Sequence, residues 1–204
     1  MSDAQITLAF DTSAAHCAAA LLSGGRLWQI SEPMDKGQAE RLFPLLESLL
    51  AQAGLGWKDL DLLAVGTGPG NFTGVRIAVA AARGLALSLG VPAIGVTRLQ
   101  ALAHGLPRPV TVIEDARRGE CYVQQFGMAE TGPARLAPRG GLQIGGPVTG
   151  SAAGPLALPP AMPLCEAIAR IAVARTSPQP RPAPFYLRGA DASPPADPAP
   201  TILP

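Results

Sequence analysis

The sequence predicts an α/β protein of two lobes, in which helices flank mixed β-sheets. Three short apolar runs divided by turns open the chain, and helical periodicity then alternates with buried-type strands. Hydrophobic residues make up 48% of the 204 residues, enough for a sizeable core, but aromatic residues make up only 4%. We therefore expect a core of closely packed Ala, Leu, Val and Ile. The length suits one unit of two apposed lobes.

The first elements are predicted to be three strands in a meander. Apolar runs cover residues 6–10, 17–22 and 26–30, and a Ser-Gly-Gly sequence at residues 23–25 predicts a hairpin turn between the last two. An Asp-Thr-Ser turn at residues 11–13 follows the first strand. The chain therefore opens with an antiparallel sheet.

An amphipathic helix and a buried strand are expected next. Leucine and alanine recur at helical spacing between residues 39 and 53, and Gly54 predicts the helix end. Pro44 predicts a bend, because its nitrogen cannot donate a backbone hydrogen bond. The apolar residues 62–66 predict a strand.

A glycine-rich loop at residues 66–74 continues the alternation. It leads into a helix from about residue 73 to residue 89, a strand at residues 91–96 and a short helix at residues 97–105. The order β-β-β-α-β-α-β-α places an antiparallel hairpin before parallel strands, which is typical of a mixed sheet covered by helices.

The second part of the chain resembles the first. Asp115 lies 104 positions after Asp11, and the same shift lays Cys121 on Cys17. Strands are predicted at residues 110–114 and 121–126, on either side of a tight turn. The alternative is a chance match of two short hairpins, whereas an internal repeat indicates two lobes of one design.

The domain organisation follows from this repeat. We expect a first lobe at residues 1–105 and a smaller second lobe at residues 106–188, with a strand near residues 148–150 and a helix at residues 164–174. Proline recurs after residue 177, so residues 189–204 are predicted to be a disordered, proline-rich tail.

Two segments have the composition of phosphate-binding turns. The glycine-rich loop precedes a helix whose free N–H groups could hold an anion, but it lacks the Gly-Lys-Ser/Thr sequence of a P-loop. The alternative is that its glycines let the helix approach the sheet closely. The aspartate turns either orient a metal-bound nucleotide or cap their own backbone. The candidate nucleotide-binding residues are Asp11, Thr12, Gly68, Gly70, Asn71 and Asp115.

The sequence shows neither a cluster of residues that could bind a metal nor a nucleophile with a positioned base. His16 and His104 lie far apart, and Cys17, Cys121 and Cys165 are isolated from one another. A structural metal needs three or four convergent ligands, and a nucleophile needs a positioned base. We expect reduced thiols, no metal and a cytoplasmic location.

Charge and hydropathy weigh against independent binding to nucleic acid or a membrane. The net charge is +1 and no basic run exceeds two residues, so contact with RNA is expected only with the help of a partner. The apolar stretch at residues 77–96 is interrupted by Arg83 and a Gly-Val-Pro sequence, which predicts a helix and a strand rather than a membrane span. Residues 1–5 lack the pattern of a signal peptide.

Several motifs together resemble one family. The long central motif is Gly-Pro-Gly-Asn-Phe-Thr-Gly-Val-Arg-Ile at residues 68–77, and Gln-Ala-Glu-Arg-Leu-Phe-Pro lies at residues 38–44. Asp-Ala-Arg-Arg-Gly-Glu-Cys-Tyr follows at residues 115–122, and Pro-Phe-Tyr-Leu-Arg at residues 184–188. From about residue 6 to residue 188 the chain resembles the TsaB (YeaZ) family of bacterial tRNA-modification proteins.

This resemblance implies an actin-like (ribonuclease-H-like, ASKHA) fold and a subunit without intrinsic activity or cofactor. Such proteins pair with the catalytic relative TsaD through helices of the first lobe and work with the ATPase TsaE. The complex transfers threonylcarbamoyl to N6 of adenosine 37 in tRNAs that read codons beginning with A. The relative binds its metal with a histidine pair on the first helix, where this chain has Gln38 and no histidine.

The same resemblance selects an interface. The helix at residues 73–89 carries small and apolar residues around its whole circumference, so it is predicted to be buried on more than one side. Its second side meets either the preceding helix or a partner subunit. The predicted contacts with TsaD are Leu42, Leu46, Gly74, Arg76, Ala78 and Arg83.

Two other functions stay open at this point. An actin-like small-molecule kinase or metallopeptidase would bind ATP or a metal, whereas a self-contained homodimer would act as an interaction scaffold.

Overall fold

The computed structural model describes residues 5–175 and 178–188. The predicted tail at residues 189–204 lies outside the described residues. Within them, the chain forms two sheets that lie on either side of a cleft. The first sheet has five strands in the order β3-β2-β1-β4-β5. These strands are β1 (Thr7–Asp11), β2 (His16–Ser23), β3 (Arg26–Pro33), β4 (Leu62–Gly66) and β5 (Ala93–Val96).

The pairing in this sheet is mixed, as predicted. β1, β2 and β3 form an antiparallel meander, whereas β4 runs parallel to both β1 and β5. The register places Leu8 opposite Leu63 and Phe10 opposite Val65, so large apolar residues pair at the centre of the sheet. β1 and β4 are buried on both faces, which agrees with their nearly continuous apolar sequences.

Four helices and a short 3₁₀ turn at Trp57–Asp59 complete the described elements. The helix α1 passes through Pro44 without interruption and ends at Gly54, which has a left-handed conformation with φ of 69°. The helix α2 begins after Asn71, whose side-chain oxygen accepts a hydrogen bond from the Gly74 N–H. The helices are α1 (Gln38–Ala53), α2 (Phe72–Leu89), α3 (Arg98–Ala103) and α4 (Leu164–Val173).

The first sheet is covered on both faces. α1 and α2 pack on one face around a leucine-rich cluster that includes Leu42, Leu46 and Leu63. On the other face α4 contributes Ile168, which is fully buried against the sheet. Since α4 follows the second sheet in sequence, a helix from the second half of the chain completes the core of the first half.

The second sheet is smaller and less covered. Its strand order is β8-β7-β6-β9, with β6 (Val110–Asp115), β7 (Glu120–Phe126), β8 (Arg135–Pro138) and β9 (Val148–Thr149). α3 packs on one face around Val112 and Phe126. The other face is covered by irregular chain that includes Leu142, Ile144 and Ala152. Sequence analysis did not predict β8.

The internal repeat is confirmed in the strand pairing. β6 pairs antiparallel with β7 and parallel with β9, as β1 pairs with β2 and β4. The shift of 104 positions holds for the first strand of each hairpin, but it is wrong for the second. Asp11 pairs with Ala18, whereas Asp115 pairs with Cys121, because the second turn is one residue shorter.

The two lobes exchange helices, so the predicted boundary at residues 105 and 106 divides the sequence but not the cores. α3 lies before this boundary and packs on the second sheet, whereas α4 lies after it and packs on the first. The segment at residues 178–188 then joins both lobes. The Phe185 N–H donates to the Thr67 carbonyl at 2.8 Å, and Arg188 forms an ion pair with Glu120.

Candidate functional site

The turn after β1 is built around a buried aspartate. Asp11 is fully buried, and its Oδ1 accepts hydrogen bonds from the Ser13 N–H at 3.0 Å and the Ser13 hydroxyl at 2.9 Å. The His16 Nε2 lies 2.8 Å from the same oxygen. One carboxylate oxygen therefore holds the whole turn, which is the backbone-capping interpretation of the Asp-Thr-Ser sequence.

The environment keeps this carboxylate charged. Burial alone would raise the pKa of Asp11, but the hydrogen bond and charge of His16, the charge of Arg98 and the Ser13 hydroxyl outweigh it. The pKa of Asp11 consequently lies below its ordinary value. Asp11 Oδ2 is buried and has no hydrogen-bond partner among the described residues.

The glycine-rich loop packs directly on this turn. A Cβ atom at Gly66 would lie 1.8 Å from Asp11 Oδ2, and one at Gly74 would lie 1.9 Å from the Thr12 carbonyl oxygen. The Thr12 hydroxyl donates to the Gly74 carbonyl at 2.6 Å. These glycines therefore allow the helix to approach the sheet closely.

The same packing occupies the space between the loop and the turn. The Asn71 N–H donates to the Ser13 carbonyl at 2.7 Å, and a Cβ atom at Gly70 would lie 2.3 Å from that carbonyl oxygen. Gly68 is also tightly placed, with φ of 88° and its carbonyl accepting from the Arg98 N–H at 2.7 Å. Nucleotide binding at this loop stays a prediction.

A cleft of about 990 Å³ separates the lobes above the turn and the loop. Arg98 lines this cleft, and its Nε donates a hydrogen bond to Glu114 Oε2 at 2.7 Å. Glu114 Oε1 accepts from the Ser151 N–H at 2.6 Å, so this buried carboxylate is held from two sides. The charged residues that line the cleft are Asp35, Arg98, Glu114, Asp115, Arg117, Arg118 and Arg188.

Asp115 occupies the position of Asp11 in the second lobe, but in a different environment. It is exposed, and its Oδ1 accepts a hydrogen bond from the Arg117 N–H at 3.1 Å. Arg117 and Arg118 have left-handed backbone conformations, with φ of 62° and 52°. The structure thus places Asp115 on the wall of the cleft, whereas Asp11 is buried in the turn from which Ser13 lines the cleft.

The arrangement does not resemble a nucleophile site. Ser13 and His16 both contact the same oxygen of Asp11, so the imidazole is not positioned to accept a proton from the Ser13 hydroxyl. Among the described residues, no three His, Cys, Asp or Glu side chains are placed to hold a metal ion. Burial raises the pKa of the Cys17 thiol to about 11, so this cysteine stays protonated at neutral pH.

An aromatic pair at the rim of the cleft was missed by sequence reasoning. The rings of Phe72 and Tyr186 lie 5.2 Å apart between centroids, although 114 positions separate them in sequence. The Arg76 guanidinium lies 3.7 Å from the centre of the Phe72 ring, and Arg76 Nε donates to the Tyr186 hydroxyl at 3.0 Å. The only sequence signal is that each ring belongs to a quoted motif.

The predicted interface residues fall into two groups. Leu42, Leu46, Gly74 and Ala78 are buried within the chain's own core, so they support the surface of the first lobe from beneath. Arg76 and Arg83 are exposed on α2, and Arg76 is engaged with the aromatic pair. Their contact with a partner stays a prediction.

The outward face of α2 carries other exposed residues. Ala80, Gly84 and Leu87 follow one another at spacings of four and three, so they share one side of the helix. Leu87 is 86% exposed, and no described heavy atom outside the helix itself lies within 4 Å of the position of a Cβ on Gly84. By length and composition α2 could also cross a membrane, but its inner side packs on the first sheet.

The fold and the comparisons define the class of protein. Two lobes built on the same hairpin and parallel strand, with exchanged helices and a cleft between them, form an actin-like fold of the ribonuclease-H-like type. A solved structure of YeaZ from Pseudomonas aeruginosa has a TM-score of 0.62 and 33% identity, over 72% of this chain and 75% of that one.

The particular family follows from the same comparisons. A second solved structure, an uncharacterized protein with similarity to peptidase YEAZ from Pseudomonas aeruginosa, has a TM-score of 0.75 and 30% identity over 90% of this chain and 100% of that one. The family model of TsaD, tRNA N6-adenosine threonylcarbamoyltransferase, matches residues 32–138. The chain belongs to the TsaB (YeaZ) family, to which the TsaD family is related.

A curated relative carries the TsaB name. The tRNA threonylcarbamoyladenosine biosynthesis protein TsaB of Haemophilus influenzae is 40% identical over 124 residues. That match covers 58% of this chain and 52% of the relative, so the chain aligns with about half the length of the curated TsaB protein.

Proposed function

We propose that this chain is a non-catalytic, cytoplasmic subunit of the enzyme that transfers threonylcarbamoyl to N6 of adenosine 37 in tRNAs reading codons that begin with A. In this role it pairs with TsaD and works with TsaE. Family membership supports the pathway, and the geometry of the first lobe supports a role in assembly rather than in chemistry.

The single observation that carries the proposal is the exposed apolar side of α2, formed by Ala80, Gly84 and Leu87. Glycine in the middle of a helix costs about 1 kcal/mol relative to alanine, yet a Cβ at Gly84 would meet no described atom outside its own helix within 4 Å. Leu87, one turn further, is 86% exposed. A small residue beside a large exposed apolar one is what a closely packed partner helix requires, because the glycine admits the partner's backbone and the leucine fills its groove.

The match to the TsaD family model supports our proposal that TsaD is the partner. Residues 32–138 include α1 and α2, so TsaD has equivalents of both helices. Two related lobes can pair through equivalent faces, as subunits do in a two-fold dimer. The same face could also pair two copies of this chain when TsaD is absent.

The non-catalytic role is supported by the closed turn at Asp11. Asp11 is fully buried, and its Oδ1 already accepts hydrogen bonds from Ser13 and His16. The Thr12 hydroxyl is occupied by the Gly74 carbonyl. These groups hold the lobe in shape, which leaves the helical face as the functional surface.

The test compares two leucines of nearly equal exposure. Leu87→Glu places a carboxylate in the middle of the proposed contact, whereas Leu156→Glu makes the same change in the second lobe at a residue that is 90% exposed. Neither change buries a charge within the chain. We expect wild type and Leu156→Glu to form a 1:1 complex with TsaD of the same organism, measured by size-exclusion chromatography with light scattering.

Leu87→Glu should weaken that complex at least tenfold, because desolvating an unpaired charge at an apolar contact costs several kcal/mol. Equal binding by both variants would contradict the proposed face. Tight binding of ATP by the isolated chain, measured by calorimetry, would instead favour an actin-like kinase.

A further inference from the structure

Two motifs that lie far apart in the sequence meet at one place in the structure. Phe72 comes from the central glycine-rich motif and Tyr186 from the motif near the carboxyl end. Phe72 is 45% exposed and Tyr186 is 44% exposed, and the rings are tilted by 33°. We call these two rings, with the Arg76 side chain that joins them, the aromatic platform.

The platform is held in a fixed geometry. Arg76 stacks on Phe72 at 3.7 Å and also donates a hydrogen bond to the Tyr186 hydroxyl at 3.0 Å. One guanidinium group thus positions both rings. A cation–π contact and a hydrogen bond of this kind restrict ring motion while they leave ring surface exposed.

Anchoring of the carboxyl-terminal segment does not require the Tyr186 ring. The neighbouring Phe185 N–H donates to the Thr67 carbonyl at 2.8 Å, and Leu187 packs in the cluster under the second sheet. Arg188 pairs with Glu120 of β7. The segment is therefore attached on both sides of Tyr186, and the exposed ring area is available for another purpose.

The chemistry of the surroundings indicates the kind of ligand. The platform borders the cleft, whose lining includes four arginines and three carboxylates. Arg98 pairs with Glu114 and Arg188 pairs with Glu120, whereas Arg117 is exposed. Exposed aromatic rings beside arginine are the arrangement on which unpaired bases of single-stranded nucleic acid stack.

We infer that the aromatic platform stacks an unpaired base of the tRNA substrate and so gives this subunit a direct RNA contact. This inference rests on the proposed role in tRNA modification. Because the net charge of the chain is only +1, stacking rather than phosphate binding supplies most of the binding free energy of this contact. The contact is correspondingly weak in the isolated chain and stronger when a partner subunit also holds the RNA.

The experiment measures RNA binding with a matched aromatic control. The probe is a fluorescein-labelled anticodon stem–loop of a tRNA that reads a codon beginning with A, unmodified at adenosine 37. Fluorescence anisotropy gives its affinity for the full chain, alone and mixed with TsaD. The variants are Phe72→Ala, Tyr186→Ala and Phe72→Trp, and the control is Phe43→Ala, which removes a ring that is 43% exposed on α1.

We expect Phe72→Ala and Tyr186→Ala each to lower RNA affinity about tenfold, the size of effect known for removing one stacked ring. Phe72→Trp should retain the affinity, and Phe43→Ala should stay within about twofold of wild type. The loss should be the same at low and moderate salt, because phosphate contacts are unchanged.

Three results would overturn the inference: unchanged affinity in both alanine variants, an equal loss in Phe43→Ala, or no RNA binding by wild type in either sample. If the alanine variants keep RNA affinity but lose TsaD, the platform is a protein contact. Chromatography on the same samples reports pairing with TsaD separately. Loss of platform-dependent RNA binding and failure of the proposed pairing are therefore distinct outcomes.

Discussion

The two lobes begin from the same design and end with different properties. Each has an antiparallel hairpin, an aspartate at the end of its first strand and a parallel strand beside it. The first sheet has helices on both faces, whereas the second has a helix on one face and irregular chain on the other. Most of the described helices therefore pack on the first sheet.

The paired aspartates show what this difference means for function. Asp11 is buried and holds Ser13 and His16, whereas Asp115 is exposed and caps the Arg117 N–H. In the first lobe the glycine-rich loop packs on the turn and encloses Asp11, whereas Asp115 lies on the wall of the cleft. Under the proposed function, the first lobe supports the exposed helix α2.

The largest expected effect concerns the close contact between Gly74 of α2 and the Thr12 carbonyl in the first lobe. Gly74→Ala places a methyl group 1.9 Å from the Thr12 carbonyl oxygen, so the helix must move away from the turn. We expect a loss of about 4 kcal/mol or more in the free energy of unfolding, or failure to fold. Urea denaturation followed by circular dichroism measures it.

The control for this change lies in the second lobe. Gly140→Ala adds a methyl group that, apart from its two chain neighbours, has no heavy atom of residues 5–175 and 178–188 within 4 Å. Its free energy of unfolding should stay within about 0.5 kcal/mol of wild type. A similar loss in both variants would remove the distinction between a tightly closed first lobe and an open second one.

Exchanging the two aspartates for asparagine compares the lobes at equivalent positions. Asp11→Asn removes a buried charge that His16 and Arg98 favour, and it should cost about 2–4 kcal/mol. Asp115→Asn keeps an acceptor for the exposed Arg117 N–H and should cost less than about 1 kcal/mol. Thermal and urea unfolding of both variants, side by side, gives the difference. Equal costs would show that burial does not separate the two turns.

Acid sensitivity provides a sharper view of the same carboxylate. The pKa of Asp11 is lowered in the folded chain, so its stabilisation is fully present above the ordinary aspartate pKa of about 3.9 and is lost as pH falls through the lower folded value. Between about pH 4 and pH 2, wild type should lose stability more steeply than Asp11→Asn. Parallel curves of melting temperature against pH would assign acid unfolding to other groups.

The smallest expected effect separates helix stability from pairing. Gly84→Ala should raise the free energy of unfolding by about 0.5–1 kcal/mol, because alanine is the better helix former and the added group meets no atom of the other described elements within 4 Å. The same change should weaken binding to TsaD, since it fills space reserved for a partner. A more stable variant with unchanged pairing would show that the helices do not approach at Gly84.

Local pattern predicted most of the fold. The apolar runs and the helical periodicity located β1, β2, β3, α1, β4 and α2 to within a few residues. Pattern could not predict that α4 packs on the first sheet, because Ile168 and its neighbours form an apolar face that either sheet could bury. β8 is short, proline-ended and only partly buried, so its sequence carries little strand signal.

The site was less predictable for a related physical reason. The glycines at residues 66, 70 and 74 suggested either phosphate binding or close packing, and only their distances to Asp11, Thr12 and Ser13 support the second interpretation. The aromatic platform joins two segments that are far apart in sequence. The spacing of Leu42 and Leu46 is equally typical of a core face and of an external interface. Their burial became clear only when the structure showed which side of α1 faces the sheet.

The most direct test is hydrogen–deuterium exchange of the chain alone and in the presence of TsaD. If the first lobe is the assembly surface, exchange should slow in peptides from α1 and α2, whereas Val110–Phe126 of the second sheet should exchange at an unchanged rate. Protection confined to the second sheet, or no protection anywhere with TsaD in excess, would contradict the role of the first lobe.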